Sequence, residues 1–359
     1  KDFLKRRRQR VMNLKEIAVK VPVEELRNKI ETILGKLDMD RRDVNIVADA
    51  LVKADLRGVA THGAYYLPRY LERVKEKTVK TKPKIKIIEE HGAQALIDGD
   101  HGFGQVIGNR AMALAIEKAS KAGVGFVGAK NTSDYGMAAY YSLKAVESDM
   151  IGITFCNTYP WVAPWGGCER LLGTNPVSCA IPAKKRWPIV LDMSTSAITA
   201  TAVLRAKEEG RKLPRNVAID GNGDFTTDPD EVWTKGAILP FGTYKGYGIA
   251  LLIDILAGVL TGSAFGKEVK SLHQFGEFMT LGQCFIAIDP DKMIGIENFK
   301  ERVDKEIEMI KGSKPSRGVK EVLLPGELEF LEEERRRREG IPIDEKLWKK
   351  LEELEKEPF

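Results

Sequence analysis

The sequence predicts an α/β protein in which a mixed strand-and-helix middle is inserted between two helical ends, and this layer is not of the Rossmann type. Three observations predict it. Both ends read as amphipathic helices, whereas the middle alternates short hydrophobic strands with helices, the pattern of layered α/β proteins. The segment Gly102-Phe103-Gly104-Gln105-Val106-Ile107-Gly108 comes near a dinucleotide fingerprint and fails it. Its third glycine falls one residue late, and no acidic residue closes a βαβ unit about twenty residues on. A tight turn with close helix packing is the expected reading there. Finally, residues 157–175 carry Pro160, Pro164, Gly166, Gly167 and Gly173, with Pro176 following, so no regular element fits.

Taken in order, residues 23–37 and 41–56 place leucine and isoleucine at helical spacing. A loop with Gly58 and Thr61-His62-Gly63 follows. The next helix, 67–76, has Pro68 near its start, where proline is tolerated. Residues 84–89 alternate as a strand does, and 95–97 form a second strand. An alanine-rich helix is expected over 105–122, a strand over 124–129, a helix over 137–148 and a strand over 151–155. After the long loop comes a basic turn and a strand over 188–192. Residues 235–240 and a helix over 247–260 continue the alternation, and 284–288 is a late strand. Residues 298–311 are amphipathic. Glu332, Glu333 and Glu334 each precede an arginine by four positions, the favourable order for helix pairs on a solvated face. The expected division is a discontinuous helical domain, 14–84 plus 296–359, around an α/β domain, 85–295.

A chain of 359 residues has room for two domains, and 43% hydrophobic residues fit a globular protein. The longest apolar run, 249–260, is interrupted by Asp254 and falls short of the roughly 18 residues that a membrane span needs. The basic start, residues 1–10, has no apolar stretch after it, so no signal peptide is expected. Cys156, Cys168, Cys179 and Cys284 form no CxxC pair and are expected as free thiols in the cytoplasm. The cluster Lys5-Arg6-Arg7-Arg8 reads as a solvated tail. No aromatic interleaving accompanies it, so no nucleic-acid partner is expected. With four histidines (62, 91, 101, 273) and no zinc spacing, no metal site is expected.

Two regions carry candidate chemistry. The loop 157–175 and the run Leu191-Asp192-Met193-Ser194-Thr195-Ser196 collect polar backbone at strand ends, where α/β folds place ligands. Around His62, the residues Tyr66, Arg69 and Tyr70 share one helix face at i, i+3 and i+4. One imidazole, one guanidinium and two phenols suit a small polar molecule. Lys245 precedes Gly246-Tyr247-Gly248 at a helix start, a placement that favours an anion.

Over about residues 14 to 350 the chain resembles the type 2 malate/L-lactate dehydrogenases, a family with L-sulfolactate, ureidoglycolate and imine-reducing members. The resemblance rests on Ala54-Asp55-Leu56-Arg57-Gly58, Thr61-His62-Gly63, residues 96–108, Leu171-Leu172-Gly173-Thr174-Asn175-Pro176 and residues 191–196. It continues through Thr226-Thr227-Asp228-Pro229, Lys245-Gly246-Tyr247-Gly248 and Leu324-Pro325-Gly326. It implies a non-Rossmann fold binding NAD or NADP, a homodimer with sites near the subunit interface, and hydride transfer to or from a small 2-hydroxy or 2-oxo acid or a related alcohol or imine. Thr158, Asp192, Met193, Ser194, Lys245, Gly326, Glu327 and Leu328 would touch the cofactor. Thr61, Tyr66 and Arg69 would bind substrate, and His62, Asp134 and Tyr70 would be catalytic.

Two positions depart from the pattern. Thr132-Ser133-Asp134-Tyr135-Gly136 has an aspartate where the family usually keeps its acid/base histidine. A free aspartate, with pKa about 3.9, accepts a proton at neutral pH and seldom gives one. Tyr66 stands where an arginine usually clamps the substrate carboxylate. Both changes disfavour an anionic 2-oxo acid, and Arg69 is the expected compensating cation. A second reading, a cofactor-binding homologue without dehydrogenase activity, also explains both departures.

Overall fold

The computed structural model describes residues 18–358. The basic cluster at residues 5–8 and the first residues of the expected helical domain lie outside them. The strands are β1 (Ala18–Val21), β2 (Lys86–His91), β3 (Gln94–Asp98), β4 (Val124–Thr132), β5 (Ile151–Cys156), β6 (Val177–Ile181), β7 (Ile189–Met193), β8 (Ala218–Ile219), β9 (Ala237–Ile238), β10 (Leu281–Ile288) and β11 (Ile341–Asp344).

The central sheet runs β2-β3-β4-β10-β5-β6-β7. Its β3–β4 pair is parallel, and the other five pairs are antiparallel. A Rossmann sheet needs successive parallel strands joined by helical crossovers. Here the late strand β10 wedges between β4 and β5, which breaks that topology as the failed fingerprint predicts. The helix Gly104–Ala122 packs on the sheet through Ile107, Ala111, Met112, Ala115 and Ala119 against Val127, Ala129 and Phe285, all buried. The small residues of that face allow the close approach.

The two chain ends pack together. β1 pairs antiparallel with β11. Leu26, Ile30 and Ile33 of the helix Val23–Leu34 share one core with Val44, Val47 and Leu51 of the helix Arg41–Leu56 and with Leu351 and Leu354 of the helix Glu345–Lys356. That core continues into Phe103, Val106, Leu272 and Met279, so it runs without a break into the middle of the chain. The helix Ile296–Lys311 is anchored elsewhere: Asp304 accepts the backbone N–H groups of Lys184 and Lys185 at 3.1 and 2.9 Å, on the turn between β6 and β7.

Some elements differ from expectation. β2 starts two residues later than the alternation suggests, is exposed along its length and carries a bulge between Ile87 and Glu89, as edge strands do. The strand β6 and the helix Ala200–Glu208 have no forerunner in the sequence reading. β6 is only five residues long between Pro176 and Pro182, so its alternation is hidden by breakers. Within 235–240 only β9 is extended, and it pairs with β8 outside the central sheet. The helix expected over 247–260 begins at Tyr244, and Asp254–Val259 is π-helical.

Candidate active site

A cavity of about 490 Å³ opens where the ends of β5 and β7 meet the turns around His62, the segment after β4 and the turn at Pro325-Gly326. After the helix Arg41–Leu56 the chain makes two single 3-10 turns, Ala60–His62 and Ala64–Tyr66. The buried carboxyl of Asp55 accepts the Ala64 N–H at 2.8 Å. A Cβ on Gly63 would lie 2.1 Å from Asp55 Oδ1, so the Thr-His-Gly turn admits only glycine there. Burial pushes the Asp55 carboxyl up to about 7, against the opposing pull of the Ala64 N–H and Arg336. From the helix Glu327–Glu339, Arg336 donates to the Asp55 carbonyl at 2.6 Å, so the C-terminal region braces the turn.

His62 Nδ1 lies 3.1 Å from Thr61 Oγ1, which leaves Nε2 for the cavity. Burial lowers the pKa of His62, while the charge of Asp134 opposes this. The Tyr66 hydroxyl meets Thr201 Oγ1 at 3.1 Å, and its ring stacks on Tyr70 at 6.2 Å.

Asp134 is held by the glycine run that fails as a fingerprint. Ser133 Oγ accepts the Gly104 N–H and donates to the Gly102 carbonyl, both at 2.9 Å. A Cβ on Gly104 would sit 2.4 Å from the Asp134 carbonyl oxygen. These glycines therefore form a shelf for the Asp134 loop. Asp134 Oδ1 accepts the Tyr70 hydroxyl at 2.6 Å and the Gly136 N–H at 3.1 Å, and Tyr70 in turn accepts from Gln105 Nε2 at 2.9 Å. Burial and then the Asp134 charge push the Tyr70 phenol well above its usual range, keeping it a proton-bearing donor.

On the opposite side, Thr158 N–H donates to Asn175 Oδ1 at 3.0 Å, which ties the proline-rich loop down. Asp192 Oδ2 accepts the Ala139 N–H at 3.0 Å. Burial pushes its carboxyl up to about 6, with Ala139 and Arg57 opposing. The Pro325 carbonyl accepts the Val190 N–H at 3.0 Å and stitches the Gly326 turn to β7. Arg57 is buried over the Phe330 ring, 4.3 Å from its centroid, and is 3.5 Å from Glu333. Its Nε has no partner. Among the described residues it is the one arginine or lysine in the cavity wall.

Nine of the expected site residues line this cavity together: Thr61, His62, Tyr66, Asp134, Thr158, Asp192, Met193, Ser194 and Gly326. Tyr70 reaches it through the Asp134 carboxylate. Four expected positions stand apart. Arg69 does not compensate for the missing clamp, because its guanidinium pairs with Glu72 at 2.6 Å and lies over the Phe275 ring. Lys245 is exposed at the start of the helix Tyr244–Ile253, outside the cavity wall. Glu327 is engaged by Lys311 at 2.5 Å and by the Leu324 N–H at 3.0 Å, so it caps its own turn. Leu328 is also outside the wall, and the expected strand at 235–240 contributes none of its residues.

The sequence reading missed Arg57, Tyr65, Trp161, Thr201 and His273, all in the wall. Arg57 stood inside a quoted motif, but only the fold buries it. His273 arrives from a loop more than 200 residues beyond His62, with no local signal.

Residues 21–352 match a family model described as malate/L-lactate dehydrogenase. The malate/(S)-sulfolactate dehydrogenase of Methanothermus fervidus is 43% identical over 331 residues, covering 92% of this chain and 96% of that protein. The ureidoglycolate dehydrogenase (NAD(+)) of Escherichia coli K12 is 32% identical, with 93% and 95% covered. Among solved structures, the sulfolactate dehydrogenase from Methanocaldococcus jannaschii superposes with a TM-score of 0.88 at 41% identity, covering 94% of this chain and 96% of that one.

Proposed function

The chain belongs to the malate/L-lactate dehydrogenase family, oxidoreductases acting on CH–OH groups, and we propose that it moves a hydride between NAD or NADP and a small 2-hydroxy acid or a related alcohol or imine. The observation that carries this reading is the single cavity joining His62 and Asp134 to the strand ends at Thr158 and Asp192.

The donor set fits a dinucleotide. The partnerless Arg57 Nε and the N-terminal end of the helix Glu327–Glu339 at Gly326 suit phosphate. Asp192 suits ribose hydroxyls, and Thr158, Met193 and Ser194 line the same side. The cofactor, when bound, supplies or takes the hydride. His62, lowered toward the neutral imidazole, accepts the hydroxyl proton at Nε2 when an alcohol is oxidised and returns it in the reverse direction. Tyr70 holds the Asp134 carboxylate in place, and Tyr66 with Thr201 orients the substrate. The name of the ureidoglycolate relative favours NAD.

A homodimer completes the reading. Leu252, Val259 and Leu260, on the helix Tyr244–Ile253 and its continuation, are 60%, 51% and 58% exposed, an apolar face that suits a second copy. Lys245 lies at the start of that helix. Free cysteines accord with the cytoplasm, and among the described residues no helix is long and apolar enough to cross a membrane.

The test is a thermal-shift titration with NAD and NADP, followed by a screen of 2-hydroxy acids, alcohols and imines at the reduced-cofactor absorbance band. One nucleotide is expected to raise Tm, and at least one substrate class to turn over. No shift with either nucleotide would overturn the proposal.

A further inference from the structure

Among the described residues, the end of the cavity around His62 and Tyr66 contains the Asp134 carboxylate and no lysine or arginine. Asp134 accepts two hydrogen bonds on Oδ1, from Tyr70 and Gly136. The residue lines the cavity beside His62 and Tyr66. Among the described residues, the arginines near this end stand outside the cavity wall. Arg73 lies behind Asp134, donating to the carbonyls of Gln274 at 2.7 Å, Glu277 at 3.0 Å and Thr78 at 3.2 Å, and is not in the cavity wall. Arg69 pairs with Glu72, and Arg205 sits over the Tyr65 ring. Arg57 is at the far end, close to Asp192, Glu329 and Glu333. Other titratable groups that feel Asp134 are the phenols of Tyr66, Tyr70 and Tyr141, the Cys156 thiol and the imidazoles of His62 and His273, and burial lowers the pKa of both imidazoles.

The charge requirements of candidate substrates differ. Reduction of a 2-oxo acid needs a cation for the substrate carboxylate and a proton for the carbonyl oxygen. Reduction of a protonated imine needs neither, because the substrate arrives carrying its own proton and positive charge. It needs a nearby anion. We infer that this chain acts on the imine–amine couple of a small substrate without an adjacent carboxylate, with Asp134 as the counter-ion of the protonated nitrogen. This rests on the dehydrogenase reading above and narrows it.

The step balances without a further co-reactant. The iminium carbon takes a hydride from a reduced nicotinamide, which is oxidised by two electrons. A C–H bond forms, the π pair of C=N settles on nitrogen and cancels its charge, and the amine then takes a proton from water. In the reverse direction a neutral amine loses the hydride, and the iminium so formed is stabilised beside Asp134. His62 has no obligatory proton to move in this step and serves as a hydrogen-bonding wall. Tyr65 and Tyr66, with ring centroids 5.5 Å apart, offer aromatic faces that a cation tolerates well.

The experiment uses the full chain saturated with whichever nucleotide raises its Tm. Calorimetry compares piperidine, a cation at neutral pH, with tetrahydropyran, its neutral isostere. Turnover compares 1-piperideine with pyruvate and oxaloacetate. Piperidine is expected to bind at least tenfold more tightly than tetrahydropyran, and 1-piperideine to be the better substrate. Asp134→Asn should erase the binding gap while the nucleotide-induced Tm shift remains, which also reports that the variant is folded. Equal binding of the two rings, or turnover of either 2-oxo acid at around 10⁴ M⁻¹s⁻¹ or more, overturns the inference and leaves the dehydrogenase reading intact. Absence of any nucleotide shift removes both.

Discussion

The wall carrying Thr158 and Asp192 to Ser194 is made of strand ends and a tethered loop, whereas the wall carrying His62 and Tyr66 is made of two single 3-10 turns hung on a buried aspartate. The first is fixed by ladder hydrogen bonds across β5, β6 and β7. The second depends on a handful of polar contacts, chiefly Asp55 to Ala64 and Arg336 to Asp55. Both departures from the family pattern, Asp134 and Tyr66, fall at the substrate end that this second wall encloses. Stiffness and chemistry are thus divided. On the proposed reading the ladder side holds the nucleotide, and the turn side, which carries both departures, meets the reacting group.

Substitutions on each side can break that division. On the turn side, replacing His62 by alanine should have the largest effect if the substrate is an alcohol: a loss in kcat of about 10²–10⁴-fold, with nucleotide affinity unchanged. With an imine substrate the loss should be small, so the His62→Ala ratio between the two substrate types sharpens the comparison. An equal loss for both would mean that His62 also shapes the wall.

Next in size is the pH dependence of Asp55. Its folded pKa of about 7 stands above the free value of 3.8, so the folded chain holds this proton more tightly than the unfolded chain. That stabilisation is whole below about pH 4 and is lost as pH rises through about 7, by up to about 4 kcal/mol. Asp192, raised to about 6, works in the same direction over a narrower window. Denaturant midpoints measured between pH 4 and 8 should fall, and Asp55→Asn should flatten much of the fall. A midpoint that rises over this range would contradict the assignment.

Smaller still, on the ladder side, Asp192→Ala leaves the Ala139 N–H without its acceptor and should cost about 1–3 kcal/mol in stability. It should also weaken nucleotide binding while changing kcat little. Kd by calorimetry and kcat by turnover separate the two. The smallest effect is expected for Lys245→Ala. An exposed amino group should change nucleotide affinity by less than about 1 kcal/mol. A larger loss would place Lys245 against the nucleotide of an assembled dimer.

The sequence made the ladder side legible because its signals are local. Prolines and glycines in 157–175 exclude regular structure, and a hydrophobic run ending in Asp192-Met193-Ser194 marks a strand end. The failed glycine fingerprint was equally informative: its spacing pointed to a tight turn with close packing, and the fold packs Gly104 against Asp134. What was not legible depends on burial. Arg69 and Arg57 look alike as letters, yet one pairs with Glu72 at the surface and the other is buried in the cavity wall. Helical spacing put Arg69 on the right face, but it could not reveal that Glu72, one turn on, would capture it. The strand β6 was hidden by its flanking prolines, and His273 by its distance along the chain.

The pairing of β1 with β11 joins Ala18 to Asp344, residues separated by nearly the whole chain. A ribosome adds roughly 5–20 residues per second, so the N-terminal strand emerges many seconds before its partner exists. Arg336, which braces the Asp55 turn, is also made 281 residues after Asp55. The nascent chain can therefore build its central sheet from β2 to β10 while His62 still lacks its full support. The braced turn is complete only once Arg336 has been made, and a message truncated before Arg336 yields a chain that keeps the strands of the ladder side but not the braced turn facing them.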